Sequence, residues 1–216
     1  MELFSKIISW VFLPLFMPVY AMAAVMYIPS GYAFEEMKLY SMYTIDDSWK
    51  LVTLGAYFIF TTVMPGAAFL IMYKSGIVST PEMDDRKERW LPMAMTILFT
   101  GLLYFFLART FAPIEEIPKY IENLALAGIL VSLCFVPLNR WKKVSVHAAG
   151  AGIFTGFLLA YLAQHTYFSV WLAPLALVVS GAVMTARLYL EKHSLTEVSV
   201  GWSVGTFVTF AVNYWL

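Results

Sequence analysis

The chain has 216 residues, of which 61% are apolar, 17% aromatic and only 13% charged, and its mean hydropathy is +0.73. Soluble domains carry about 45–50% apolar and about 25% charged residues, so this much apolar surface needs lipid to cover it; a soluble globular domain, a disordered chain and a fibre are excluded. Fourteen basic and fourteen acidic residues give zero net charge, with no polyanion-binding signature and hence no nucleic-acid partner, so the placement of charge carries the information. The one cysteine, Cys134, sits inside an apolar run, has no intrachain disulfide partner and reads as packing.

A hydrocarbon core about 30 Å thick needs about 20 apolar residues in a helix. Cutting the chain where charges interrupt such runs leaves seven, at 7–28, 51–73, 90–107, 121–138, 145–162, 168–185 and 198–215. They lack period-two alternation, and a bilayer requires every backbone N–H and C=O to be satisfied internally, so continuous helices are predicted. The expected fold class is all-α, a polytopic transmembrane helical bundle of about seven membrane helices, six being possible. The first run is too long for a signal-peptide core and shows no small-residue cleavage site after Pro14 and Pro18, so it is expected to be a membrane helix. Gly152 with Gly156, and Gly201 with Gly205, have the small-xxx-small spacing that lets helices approach closely, which predicts that the fifth and seventh runs lie inside the bundle. No repeat or long linker divides the chain, so residues 1–216 are expected to form a single integral-membrane domain.

The connections alternate between two faces. Face X receives residues 1–6, 74–89, 139–144 and 187–197; face Y receives 29–50, 108–120 and 163–167. His147 opens the fifth run and His193 precedes the seventh, so one out-and-back helical pair returns the chain to its starting depth and the two rings are expected to meet on face X. His165, in the short turn on face Y, is expected at the surface. Trp10, Trp171, Trp202 and Trp215 read as lipid-facing or interfacial material.

Three polar clusters mark face X. The first, Asp84-Asp85-Arg86-Lys87-Glu88-Arg89-Trp90-Leu91-Pro92, sets three cations before a helix, with Pro92 in the first turn. The second, from Asn139 to His147, again leads basic residues into a helix; headgroup contact explains the cations but not His147. The third runs from Arg187 to Glu197, where Ser194 and Glu197 form an S-x-x-E capping box, a sufficient structural reason for Glu197 that leaves Arg187 and His193 unexplained.

The third cluster reads R-x5-H-x3-E through Arg187, His193 and Glu197. It resembles the last signature of the type 2 phosphatidic acid phosphatase superfamily, S-R-x5-H-x3-D, with Ala186 in place of the serine and Glu197 in place of the aspartate. Ser145-Val146-His147 is similar to that family's P-S-G-H element without its Pro and Gly. The segment from Arg86 to Pro92 resembles its K-x6-R-P element, keeping Lys87, Arg89 and Pro92 at altered spacing. The resemblance extends over about residues 84–205, and the D-R-K-E-R and A-R-L patterns resemble a branch of small bacterial integral-membrane members. It implies a multi-pass protein of a bacterial inner membrane whose substrate is a phosphorylated lipid.

The same resemblance implies roles. His193 would be the nucleophile, forming a phosphohistidine, with Glu197 holding its other ring nitrogen; His147 would protonate the leaving oxygen and then activate water. Arg187, Lys87 and Arg89 would hold the phosphate, with Lys143 and the start of the fifth helix at Ser145 as further phosphate ligands. The scheme requires neither a cofactor nor a metal. Other assignments are a zinc site, for which H-E-x-x-H spacing is absent; a Mg²⁺-diphosphate site at Asp84 and Asp85, for which no second Asp-rich motif exists; a transporter, for which the first two runs lack a mid-membrane ionisable residue; and a catalytically silent relative that binds anionic lipid. Counting Lys and Arg, face X carries Lys6, Lys74, Arg86, Lys87, Arg89, Arg140, Lys142, Lys143, Arg187 and Lys192 against Lys38, Lys50, Arg109 and Lys119 on face Y. The positive-inside rule therefore predicts a cytoplasmic face X, whereas the bacterial relatives act on the periplasmic side.

Overall fold

A computed structural model describes residues 1–31, 41–81, 83, 85–114 and 117–216 of the chain; Asp84 and Lys38 lie outside the described residues. The order is α1 (Glu2–Val11), α2 (Met17–Tyr27), strand β1 (Ser30–Gly31), α3 (Asp47–Tyr57), a π-helical segment (Phe58–Val63), α4 (Met64–Lys74), a 3₁₀ turn (Arg86–Arg89), α5 (Trp90–Phe111), α6 (Tyr120–Trp141), α7 (Val146–Ala163), strand β2 (Tyr167–Phe168), α8 (Leu172–Tyr189) and α9 (Leu195–Trp215). Six helical spans among the described residues are long and apolar enough to cross a membrane, and the protein is an all-α multi-pass membrane bundle.

The first apolar run is not one continuous membrane helix, which corrects the sequence expectation. It breaks between Val11 and Met17 into two helices of 10 and 11 residues. Pro14 cannot donate a backbone hydrogen bond, and the carbonyls freed by the break find donors elsewhere: Tyr20 Oη donates to the Val11 carbonyl at 3.0 Å, and the Thr62 hydroxyl donates to the Leu15 carbonyl at 2.9 Å. The second crossing stays helical over Asp47–Lys74 but widens to a π turn at Phe58–Val63, just before Pro65, whose ring clashes with a regular turn ahead of it.

Helix α7 is the axis of the bundle; 72% of its apolar window is buried inside the protein, against 33% for α9. The two pack backbone to backbone. A Cβ at Gly152 would collide with the Trp202 carbonyl, one at Gly156 with the Thr206 carbonyl and one at Gly205 with the Ala149 carbonyl, and one at Gly201 would stand 2.5 Å from the Ser145 carbonyl. Thus the glycine pairs do bring the fifth and seventh runs together, although α9, which also packs on α6, is far less buried than α7. Beside this contact, Thr155 Oγ1 lies 2.7 Å from Ser180 Oγ of α8, and Trp202 Nε1 of α9 donates to the same hydroxyl at 3.0 Å. Trp202 therefore turns into the bundle, while Trp10, Trp171 and Trp215 are exposed as expected.

At face Y, β1 pairs antiparallel with β2, and Tyr161 Oη meets Ser30 Oγ at 2.6 Å, Ser41 Oγ at 3.1 Å and the Met42 N–H at 3.1 Å. His165 is buried rather than at the surface, a second correction: its ring stacks on Tyr161 with centroids 3.9 Å apart, and its Nδ1 donates to the Tyr161 carbonyl at 2.7 Å. That carbonyl lies in the last turn of α7, where the Gln164 N–H closes on it at 3.2 Å, and the i+4 ring adds a second, shorter bond.

Candidate active site at face X

The site forms where α8 ends and α7 and α9 begin. Helix α8 closes by a reversal in which the Lys192 N–H donates to the Arg187 carbonyl at 3.1 Å and the Glu191 N–H to the Leu188 carbonyl at 3.0 Å, with Glu191 at φ +53. This left-handed step turns the chain back over its own last turn, so His193 stands above Arg187. Ser194 then caps α9 through the predicted box: its N–H donates to Glu197 Oε2 at 3.0 Å while its hydroxyl accepts from the Glu197 N–H at 3.4 Å.

The same Glu197 oxygen lies 3.2 Å from His193 Nδ1, and the Lys143 carbonyl lies 3.0 Å from that nitrogen. Both neighbours accept, so Nδ1 carries the proton and Nε2 keeps a lone pair. Burial pushes the His193 imidazole down from its ordinary 6.5 to about 4; the Arg187 and Arg89 cations add to the fall, and the bond to Glu197 opposes it. The ring is therefore neutral near pH 7.

Ser145 is fully buried and caps α7, accepting from the Ala148 N–H at 3.3 Å, while its own N–H donates to the Glu197 carbonyl at 3.2 Å. This stitching holds the starts of α7 and α9 together. It sets His147, in the first turn of α7, near His193 and the charges of Arg187 and Arg89, with its ring beside the backbone of Ser9. Arg187 is buried in the last turn of α8, and its Nη1 donates to Ser9 Oγ at 3.5 Å.

The first cluster reaches the site through one residue. Asp85 caps the 3₁₀ turn by accepting from the Lys87 N–H at 2.9 Å; Arg86 Nη1 donates to the Trp141 carbonyl at 3.0 Å, and Asn139 Nδ2 returns a bond to the Arg86 carbonyl at 3.0 Å. Thus docked on the end of α6, the turn buries Arg89, whose Nε donates to the Met83 carbonyl at 3.0 Å and Nη1 to the Val144 carbonyl at 3.2 Å. Arg89 carries its charge among the histidines, whereas Lys87 is exposed and Lys143 half-buried. Among the described residues no three of His, Cys, Asp and Glu come together as a metal-binding group.

A cavity of about 260 Å³ runs inward from His147 and Arg89, between the broken first segment and helices α4 to α7, to a far end at Tyr57, Thr100 and Leu124. Three of its hydroxyls are turned to backbone: Thr96 donates to the Pro92 carbonyl at 2.9 Å, Thr61 to the Tyr57 carbonyl at 2.8 Å, and Tyr57 to the Ile121 carbonyl at 2.6 Å. The space they enclose is consequently apolar in character. From Arg89 to Thr100 the α5 wall rises about 16 Å, at ~1.5 Å per residue, roughly half the hydrocarbon thickness.

Sequence reasoning missed Ser9. Its only local signal is the i, i+4 pair of small hydroxyl residues, Ser5 and Ser9, on an otherwise apolar helix.

The family model described as PAP2 superfamily matches residues 90–216, leaving the Arg86–Arg89 turn and the first two crossings outside. No curated protein and no solved structure matches the chain. The matched region contains His147, Arg187, His193 and Glu197 and is more than half of the chain, which therefore belongs to the PAP2 superfamily.

Proposed function

We propose that residues 1–216 act as one integral-membrane lipid phosphatase, hydrolysing a single-ester or diphosphate-linked lipid such as a phosphatidate, a phosphatidylglycerophosphate or a polyprenyl phosphate, in a bacterial cytoplasmic membrane. The observation that carries this reading is the junction at His147 and Arg89, which border both the polar cluster and the apolar cavity. A phosphate among the cations with its hydrocarbon in the cavity satisfies both halves of such a molecule.

In this reading His193 Nε2 attacks phosphorus, the bond to the lipid oxygen breaks, and His147 protonates that oxygen as it leaves. Water, deprotonated by His147, then cleaves the phosphohistidine and frees inorganic phosphate. Glu197 and the Lys143 carbonyl hold the Nδ1 proton through both steps. Arg187 and Arg89 hold the nonbridging oxygens; guanidinium stays charged in a buried setting and offers two parallel donors. Lys87 and Lys143 add positive charge at the rim, and the N–H groups after Ser145 present the positive end of α7. The reaction proceeds without a metal.

Purified protein incubated with a panel of lipid phosphates should release inorganic phosphate, with activity surviving EDTA and falling with orthovanadate, which adopts the trigonal-bipyramidal shape of the transition state. Strict dependence on Mg²⁺ or Zn²⁺ overturns the metal-free mechanism. Binding of lipid phosphate without release marks a silent relative, for which the altered spacing at Lys87, Arg89 and Pro92 and the missing Pro and Gly around Ser145-Val146-His147 are the sequence reason.

A further inference from the structure

We propose that Ser9 of α1 is a positioning residue for the phosphate site: its hydroxyl holds Arg187 beside the His147 ring. This rests on the phosphatase reading above and extends it to a helix that the family match does not reach.

Three observations converge on Ser9. Helix α1 packs on α8 through a face on which Ser5 and Ser9 are buried, at 4% and 7% exposure, while Leu3, Phe4, Ile7 and Trp10 are exposed on its other faces. An amphipathic helix ordinarily buries its apolar side; this one turns its small hydroxyls to the protein and its apolar bulk outward, as a helix in lipid does. Second, Arg187 Nη1 reaches Ser9 Oγ at 3.5 Å, a long bond for a charged donor. A bond of that length orients the guanidinium yet competes weakly with an arriving phosphate oxygen. Third, the His147 ring stands beside the backbone of Ser9, so one residue neighbours two of the groups assigned to the chemistry.

The break after α1 makes this contact possible. A Cβ at Gly150 would stand 2.9 Å from Pro14 Cα, so the broken segment lies directly on α7 one turn beyond His147. A straight helix through Pro14 would have carried Ser9 along the α2 axis instead of folding it against the end of α8.

The test uses full-length protein in detergent and orthovanadate as the probe. Ser9→Ala and Ser9→Gly both delete the hydroxyl but differ in helix propensity, so they should melt at different temperatures. If the hydroxyl positions Arg187, both should weaken orthovanadate binding by the same factor of about 3 to 10, the size of one ordinary lost hydrogen bond, in keeping with a contact as long as 3.5 Å. Ser5→Ala, one turn away on the same buried face, should leave the affinity unchanged. Vanadate affinity that is unchanged in both Ser9 variants, or that follows the melting temperatures instead, overturns the positioning role and leaves the phosphatase reading standing. A wild-type protein that neither binds orthovanadate nor releases phosphate overturns the phosphatase reading, and this proposal with it.

Discussion

At the scale of the residue, the decisive arrangement is a histidine with its proton pinned on one nitrogen. His193 faces a carbonyl and a carboxylate through Nδ1, and burial beside two arginines keeps it neutral down to about pH 4. If Nε2 is the nucleophile, His193→Ala should abolish turnover, and wild-type protein quenched during turnover should carry acid-labile phosphate on that residue. His147→Ala should slow formation or breakdown of that intermediate by about 10²- to 10⁴-fold. Full activity in His193→Ala ends the assignment. A linked effect concerns stability. The folded His193 titrates at about 4, below the ~6.5 of an unfolded histidine, so between these values the unfolded chain binds a proton that the folded chain does not. Stability should be fullest above pH 6.5 and fall as the pH drops toward 4; His165, also depressed by burial, adds to the same limb. Melting curves at pH 7.5 and 4.5 should show a smaller loss for His193→Gln than for wild type, and equal losses would show that His193 is not the titrating group. The spacing of Arg187, His193 and Glu197 was legible in the sequence because it lies within one loop. The choice of Arg89 over Lys87 as the buried cation was not, because it depends on the Met83 and Val144 carbonyls that hold Arg89.

At the scale of the element, two local devices set the site and a third holds the bundle. The capping box at Ser194 and Glu197 and the left-handed step at Glu191 together join α8 to α9 with His193 between them. The box is a sequence signature, whereas the reversal uses a glutamate where glycine is the usual residue, so only the backbone reveals it. The third device is the glycine contact between α7 and α9. Gly152→Ala should cost about 1–3 kcal/mol, because its Cβ meets a backbone carbonyl that cannot rotate away. Gly181→Ala on α8, where nothing lies within 4 Å of the added carbon, should be neutral or stabilising by up to ~1 kcal/mol through helix propensity. Thermal unfolding of the two variants in the same detergent checks the contrast; equal melting temperatures would mean that α7 and α9 separate without cost.

At the scale of the whole molecule, the open question of sidedness sets charge against family analogy. Read from the sequence, ten Lys and Arg residues are expected on face X against four on face Y, and insertion responds to nearby cations whatever their catalytic use. Face X is accordingly expected in the cytoplasm, with Leu216 outside. Cysteine introduced at Lys74 in a Cys134→Ala background should resist an impermeant maleimide in intact cells, while cysteine at Asp46 should label. The reverse pattern places face X outside and overturns the charge argument.

The sequence by itself determined that the chain crosses a membrane several times, where α3 to α9 run, and that His147 and His193 end on one face. These follow from hydropathy, helix rise and capping, all of which act within a turn or a single span. Only the tertiary structure decided that the first apolar run breaks and that α3 widens before Pro65. The same holds for the burial of His165 against Tyr161 and for the approach of Ser9 to Arg187 across 178 positions. In each case a polar group within the bundle must find a partner, and the partner that satisfies it lies in another element or depends on how the chain turns after a helix, which residue pattern within a span does not encode.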